Sequence, residues 1–297
     1  MKRLKLFSAL LAFFTAAFPL SACNSGAEES AAADFRIMTW NIYLGKGEGE
    51  DAVDVICDVR PDVLHLQEAK GAYESVIQPL ISQVGEYVLL NDEVGGFQCS
   101  TPVIYNSDKI NIIANGTEYL KDVFDNTPKL SNTKSIGWAV FELKDSGKTW
   151  IDINFHGAVC AQKYYEEEKT DGWLEWQGDE WRKGNVRQIL DKIAEIKDAY
   201  GASSTIVTGD CNFNSESGAY KLFTEAGFHE AEKTAASRTN DGLRTTHGLG
   251  EASAKGLTID HIFGNGSVEF LVHSIIRTET ALTASDHNPV WADLKLK

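Results

Sequence analysis

The stretch Thr205-Ile206-Val207-Thr208-Gly209-Asp210-Cys211-Asn212 reads as a short apolar strand that runs into a glycine turn presenting an acid and an amide two residues apart. Taken alone the pair is ordinary, since Asp and Asn are common turn formers. Repetition gives it weight. Apolar strands elsewhere also end in polar groups: Trp40-Asn41, Leu66-Gln67-Glu68, Phe155-His156 and Ile259-Asp260-His261. Near the C-terminus Ser285-Asp286-His287-Asn288-Pro289 leads into another apolar run, Val290-Trp291-Ala292-Asp293-Leu294. Loops after strands bring such groups onto one rim of a fold.

The pattern outward from this stretch predicts strands at Phe35 to Trp40, Val63 to Leu66, Val103 to Tyr105, Gly137 to Leu143, Trp150 to Phe155, Thr205 to Thr208, Thr258 to Phe263 and Val290 to Leu294. Helical spacing appears from Asp51 to Val59, with Val53, Ile56 and Cys57 on one face. It appears again where Val186, Ile189, Leu190, Ile193 and Ile196 line a longer helix that ends before Gly201. Strands outnumber helices, so the class is an α/β sandwich. There is no internal repeat, and composition is uniform after residue 34, so residues 35–297 are read as one domain. Tyr164 to Arg182, acidic and carrying Trp173, Trp176 and Trp181, reads as a long surface insertion. Its rings are suited either to stacking on a sugar or base, or to packing on the domain.

The first residues do not belong to that domain. Lys2, Arg3 and Lys5 form a basic start, Leu6 to Ala17 is apolar, and Leu20-Ser21-Ala22-Cys23 follows. The run is too short for a permanent membrane helix, which needs roughly 20 apolar residues. Leu20-Ser21-Ala22-Cys23 resembles a bacterial lipobox, in which the cysteine is acylated and becomes the new N-terminus. Ordinary signal cleavage beside an incidental cysteine is the alternative. Residues 1–23 are therefore expected to be a lipoprotein signal peptide with Cys23 as the lipidation site, and residues 24–34 a flexible tether. The expected location is outside the cytoplasm, anchored to a bacterial membrane on its periplasmic or cell-surface side.

The chain holds 28 basic and 43 acidic residues, a formal charge of −15, and loss of Lys2, Arg3 and Lys5 with the signal makes it more negative still. Such a field opposes tight non-specific nucleic-acid binding, which relies on Lys and Arg displacing counterions. It leaves phosphate chemistry at a metal open, because the ion's own charge dominates locally. Beyond Cys23, the cysteines Cys57, Cys99, Cys160 and Cys211 form no C-x-x-C pair, which argues against a structural zinc site.

Together the strand-end groups offer several carboxylates, two amides and two imidazoles, a mixture suited to holding a hard cation, activating water and binding phosphate oxygens. Their order is also specific. Asn41 after Thr-Trp, Gln67-Glu68, strand-terminal His156, Gly-Asp210-x-Asn212, Ile-Asp260-His and Ser-Asp286-His287 resemble the endonuclease/exonuclease/phosphatase family of DNase I-like metal-dependent phosphoesterases, over nearly the whole mature chain. The resemblance implies a four-layer sandwich, with two β-sheets packed face to face between outer helices. It also implies cleavage of phosphate esters, which in family members are those of DNA, RNA, phosphoinositides or sphingomyelin; a shared fold does not choose among them.

The resemblance further implies roles. Glu68 and Asp286, helped by Asn41, would bind Mg²⁺, with Mn²⁺ as the alternative ion. Asp210 would orient and deprotonate the attacking water, while Asn212 holds Asp210 and the phosphate. His287 would donate to a phosphate oxygen, its tautomer held by Asp260, and His156 would be a second imidazole on the phosphate unless it is a buried structural histidine. In nuclease and sphingomyelinase relatives a Glu often stands six residues before the Tyr that ends the next strand. Here Tyr105 counts back to Cys99, so the second histidine–carboxylate pair is expected to be missing. Cys99 is then placed on the same rim as Cys160, either as a disulfide or as two separate buried thiols. Thr245-Thr246-His247-Gly248 resembles a Thr-x-His-Gly segment that lies beside the site in bacterial members, with His247 secondary. His65, His229, His261 and His273 receive no role.

The expected protein is thus a secreted, monomeric, metal-dependent hydrolase of small or lipid-like phosphate esters, a phosphodiesterase or phosphomonoesterase using metal-activated water. An extracellular nuclease of the same fold is the alternative. A surface binding module that kept the fold and lost the chemistry is a third reading, and the intact Glu68, Asp210, Asn212 and His287 argue against it.

Overall fold

A computed structural model describes residues 30, 32–121, 134–159, 171–240, 242–251 and 256–297, with the backbone alone for 171–177. The signal and lipobox reading around Cys23 lies outside the described residues, as do Cys160 and residues 164–170.

In chain order the strands are β1 (Phe35–Asn41), β2 (Val63–Gln67), β3 (Tyr87–Leu90), β4 (Glu93–Val94), β5 (Phe97–Gln98), β6 (Val103–Asn106), β7 (Ile110–Tyr119) and β8 (Ser135–Leu143). There follow β9 (Thr149–His156), β10 (Ser204–Asp210), β11 (Phe228–Glu230), β12 (Ser237–Thr239), β13 (Asp260–Asn265), β14 (Val268–Ile275) and β15 (Val290–Leu296). One sheet has the order β12-β14-β15-β1-β2-β6-β3, the other β11-β13-β10-β9-β8-β7, and β4-β5 is a separate hairpin.

Three apolar clusters separate the layers. Phe35, Ile37, Val63 and Val103 of the first sheet meet Phe141, Trp150, Ile206 and Ile262 of the second; Phe35 stacks on Trp150 with ring centroids 4.5 Å apart. The outer face of the first sheet, Met38, Trp40, Leu64 and Leu66, packs on Val53 and Ile56 of the helix Gly49–Val59 and on Ala281 of the helix Glu279–Ala284. The outer face of the second, Ile151, Ile153, Phe155 and Val207, packs on Val186, Ile189 and Ile193 of the helix Asp171–Tyr200 and on Phe223 of the helix Gly218–Glu225. This is the expected four-layer α/β sandwich. Burying each such side chain contributes about 1.5–3 kcal/mol, so most of the folding drive comes from these three seams.

Side chains alternate along a strand with period two, and this decides what lies between the sheets. The inner faces read Phe35-Ile37-Thr39-Asn41 on β1, Val63-His65-Gln67 on β2, Trp150-Asp152-Asn154-His156 on β9 and Ile206-Thr208-Asp210 on β10. Each is apolar at one end and polar at the other. At the polar end the groups satisfy one another across the gap. His65 Nε2 meets Asp152 Oδ2 at 2.5 Å and its Nδ1 meets Thr208 Oγ1 at 2.6 Å. The Gln67 amide donates to Asn154 Oδ1 (2.7 Å) and Thr39 Oγ1 (2.9 Å). Satisfied networks of this kind tie the two sheets in one register, because a slip would strand buried polar atoms.

Some expectations need correction. Residues 171–182, expected to form a surface insertion, are the first turns of the continuous helix Asp171–Tyr200, whose later turns are anchored by Val186, Ile189, Ile193 and Ile196. The stacking surface expected from Trp173 and Trp176 falls on side chains outside the described ones. Strands β3, β4, β5, β7, β11, β12 and β14 were not expected. Among the described residues no helix is long and apolar enough to cross a membrane.

Candidate active site

Parallel pairing of β1 with β2 and of β9 with β10 brings four C-terminal strand ends to one edge of the sandwich. Antiparallel β13 and β15 begin there, with Asp260 opposite Asp210 and Val290 opposite Thr39. All the acids, amides and imidazoles singled out above therefore reach one place. Gly209 permits the last step: its φ is +148°, and a Cβ there would lie 1.9 Å from Phe155 O, so only glycine lets β10 run this close to β9 at the turn into the site.

Asp210 is the centre. It is 2% exposed; its Oδ2 accepts from Asn41 Nδ2 (2.9 Å) and faces His156 Nε2 at 3.3 Å and His287 Nε2 at 3.9 Å. Its Oδ1 accepts from the backbone N–H of Asn212 (3.1 Å). Burial alone favours a neutral acid, but His156, then His287 and Lys134, hold Asp210 well below the usual carboxylate range. Asn212 differs from its expected role: the backbone holds Asp210, while the Asn212 amide donates to Gly157 O at 3.2 Å. Asn212 (φ +54°) and Glu68 (φ +53°) both adopt the left-handed region. For Glu that conformation is uncommon, and such strain persists where surrounding structure imposes it, often at functional sites.

His287 donates from Nδ1 to Asp260, 2.9 Å from Oδ2 and 3.1 Å from Oδ1. Burial opposes the charged ring, yet Asp260, with Asp210 and Asp286, pushes its pKa up to about 10. His287 is therefore an imidazolium at neutral pH, with Nε2–H aimed toward Asp210. The expected Asp260–His287 pair is thus present. Thr245 Oγ1 accepts the N–H of Ile259 and of Asp260 (3.0 and 3.2 Å). The N–H of His247 donates to Asp286 O at 2.8 Å, so the Thr245 to Gly248 loop abuts the site as expected.

His156 has no carboxylate behind it: its Nδ1 is buried without a hydrogen bond among the described residues. Cys99, in the place expected of that partner, is fully buried. Its Sγ lies 3.5 Å from Thr101 Oγ1 and 3.9 Å from Ser135 Oγ. On the other side of the ring, His156 Nε2 contacts Lys134 Nζ. Lys134 is a residue that sequence reasoning missed, because a lone lysine before a strand reads as solvated surface. The available signal lay in the pairing of β8 with β9, where Ile136 sits opposite Phe155. Trp40 was likewise read only as strand core; its Nε1 donates to His287 O at 2.8 Å. Of the histidines left without a role, His65 and His261 are buried and paired, His261 with Glu230.

The remaining acids suit a cation. Among the described residues Asp286 Oδ1 is buried without a hydrogen-bond partner. Burial raises the Asp286 pKa, and the charge of Glu68 adds to the rise although His287 opposes it. Two neighbouring carboxylates with an orphaned oxygen are relieved by a hard divalent ion. Asn41 Oδ1 accepts one N–H, from Tyr43 at 3.0 Å, and keeps its second lone pair. Asp210, Asp260 and His287 also bring ligand atoms within 4.8 Å of one another. There, however, a cation would have to displace the proton of an imidazolium, so the Glu68, Asp286 and Asn41 oxygens are the better fit.

Comparison with known proteins is consistent with this arrangement. A family model described as endonuclease/exonuclease/phosphatase family matches residues 38–287. No functionally curated protein matches the chain. Among solved structures, an endonuclease/exonuclease/phosphatase from Bacteroides vulgatus is 24% identical with a TM-score of 0.69, covering 89% of this chain and 99% of its own. A mannosyl-6-phosphatase from Bacteroides thetaiotaomicron is 18% identical with a TM-score of 0.67, covering 88% and 100%. TDP2 of D. rerio, complexed with a single-strand DNA product, is 17% identical with a TM-score of 0.63, covering 88% and 98%.

Proposed function

Because the chain belongs to the endonuclease/exonuclease/phosphatase family, we propose that it is an exported, metal-dependent hydrolase of phosphate esters whose chemistry is centred on Asp210. The observation that carries this reading is one buried carboxylate ringed by Asn41, His156 and His287, beside an acid pair with an oxygen on Asp286 that has no partner among the described residues.

Glu68, Asp286 and Asn41 would hold a cation, Mg²⁺ or Mn²⁺, which would supply stabilisation of the negative charge that develops on the phosphate. Asp210, ionised before the attack, accepts a hydrogen bond from the attacking water and takes its proton as the oxygen bonds to phosphorus, then releases that proton to solvent. The P–O bond to the alcohol breaks, and the alcohol oxygen is reprotonated from solvent. A depressed pKa makes Asp210 a modest base, so fixing the water's direction is a large part of its work. His287 donates from Nε2 to a phosphate oxygen, and Asp260 keeps that donor charged and aimed. Asn212 and His156 line the same pocket as phosphate contacts. The likeness to a mannosyl-6-phosphatase and the chain's charge of −15 favour small phosphate esters over nucleic acid.

The test is a turnover screen of the full chain, purified in detergent with Mg²⁺, against nitrophenyl phosphates, sugar phosphates, phosphoinositides, sphingomyelin, RNA and single- and double-stranded DNA. Hydrolysis that is lost with chelator and restored by Mg²⁺ is expected. Absence of turnover on every substrate, with no cation binding, would favour the binding-module reading. Glu68→Gln is expected to weaken Mg²⁺ affinity and activity together, since the carboxylate supplies charge as well as an oxygen; an unchanged calorimetric titration would remove Glu68 from the site.

The same proposal places the protein on a membrane through acylated Cys23. Cys23→Ser is expected to move it to the soluble fraction, because acyl chains contribute roughly 0.8 kcal/mol per buried CH₂. A mutant that still sediments with membranes would rule the anchor out.

A further inference from the structure

Lys134 immediately precedes β8, and the β8–β9 register sets it beside the end of β9, where its Nζ contacts His156 Nε2. The side chain is 7% exposed. An ammonium carries three donors and no acceptor. Among the described residues the His156 ring nitrogen is its one side-chain polar contact, and no carboxylate is in ion-pair contact with it. That same nitrogen lies 3.3 Å from Asp210 Oδ2 and 4.0 Å from Glu68 Oε1. The lysine head therefore borders the site rather than the core, with donors to spare. A buried charge with unmatched donors is costly unless something anionic meets it. Burial lowers its pKa to about 8, against Asp210 and Glu68, which leaves it mostly charged at neutral pH.

We propose that Lys134 binds the third non-bridging oxygen of a phosphomonoester dianion, and that it makes this site a phosphomonoesterase. The proposal rests on the hydrolase reading above. A phosphomonoester presents three non-bridging oxygens and nearly two charges at neutral pH, its second pKa being about 6; a diester presents two oxygens and one charge. His287 and the cation held by Glu68 and Asp286 serve the two oxygens that both esters share. Lys134 lies against His156, whose Nε2, like that of His287, faces Asp210 Oδ2, and a diester that set its second, uncharged ester oxygen there would leave the buried ammonium without an anion. The lysine thus gains an anion with one substrate and is left unmatched with the other, which is how a buried polar group discriminates. The bond made and the bond broken are those already described.

The experiment compares p-nitrophenyl phosphate with bis(p-nitrophenyl) phosphate, which share a leaving group, on the full chain in detergent with Mg²⁺. Wild type, Lys134→Met and Lys134→Gln are assayed beside calorimetric binding of inorganic phosphate, Mg²⁺ titration and melting curves. Wild type is expected to prefer the monoester. Both variants should lose about 10- to 100-fold in monoester kcat/KM and in phosphate affinity, the loss of one charge-assisted hydrogen bond, with a clearly smaller loss on the diester and Mg²⁺ affinity within about threefold. Equal losses on both esters, diester preference in wild type, or unchanged phosphate affinity would each overturn the assignment. If wild type hydrolyses neither ester, the hydrolase reading fails, and the phosphate titration still decides whether Lys134 holds the dianion. Either variant suffices if the other does not fold.

Discussion

Asp210→Asn is expected to lower kcat by about 10²- to 10⁴-fold, the usual cost of losing a general base, or roughly 3–5 kcal/mol of barrier. An amide cannot take the proton of water, and the structure adds a second reason. Both Asp210 oxygens accept from fixed donors, Oδ2 from Asn41 and Oδ1 from the Asn212 backbone. An amide has one oxygen, so one of those donors must face an NH₂ group. Removing the charge also removes one of the anions that hold His287 in its charged form. A fall in melting temperature of the metal-free protein should therefore accompany the loss of turnover. Glu68 and Asp286 are untouched, and Mg²⁺ affinity should hold. Turnover within threefold of wild type, on whichever ester the screen identifies, would displace Asp210 from the centre of the mechanism.

Asp293→Ala should have the largest effect on stability. Arg36 is 1% exposed on β1, and its Nε and Nη2 donate to the two oxygens of Asp293 on β15 at 2.7 and 3.0 Å. Its Nη1 donates to Val59 O at 2.8 Å, and its guanidinium lies 4.1 Å over the Trp291 ring. Removing the carboxylate leaves a buried cation without its counter-ion, which costs about 3–5 kcal/mol. For a domain of this size that is a drop of roughly 6–20 °C in Tm. Arg36→Met combined with Asp293→Leu should recover most of it, since an apolar pair has no desolvation penalty to offset. Arg36 and Asn41 are five residues apart along an extended strand, about 16 Å, so kcat of the folded fraction should not change. A single mutant that melts within 2 °C of wild type would show that the ion pair does not stabilise the fold.

These two predictions draw on different kinds of information. Asp210 was legible in the sequence, because an apolar strand ending in Gly-Asp-x-Asn is a local pattern repeated at other strand ends. The buried role of Arg36 was not, since a charge between Phe35 and Ile37 looks like the exposed half of an alternating strand. Strand β7 was missed because Asn111, Asn115 and Gly116 interrupt its apolar pattern; its long pairing with β8 supplies what its own residues lack. The helical character of residues 171–182, read as part of a surface insertion, was missed because acids and glycines dilute their helical spacing, yet they belong to a helix that Val186 and Ile189 anchor one and two turns later.

By itself the sequence determined which chemical groups stand at the strand ends: Asn41, Glu68, His156, Asp210, Asp260, Asp286 and His287. Strand alternation and turn chemistry act over a few residues, and so they are written locally. Only the tertiary structure decided how those groups are shared out. It set Asn41 and His156 on the same oxygen of Asp210, and assigned Asp260 to His287. It gave the Asn212 backbone, not its amide, to Asp210, and brought Lys134 against His156. Partners in a buried network are chosen by strand register and by the approach of two sheets, and those are set by contacts between residues far apart in the chain, 247 positions in the case of Trp40 and His287. Periodicity along one chain segment carries no record of which other segment will lie opposite it.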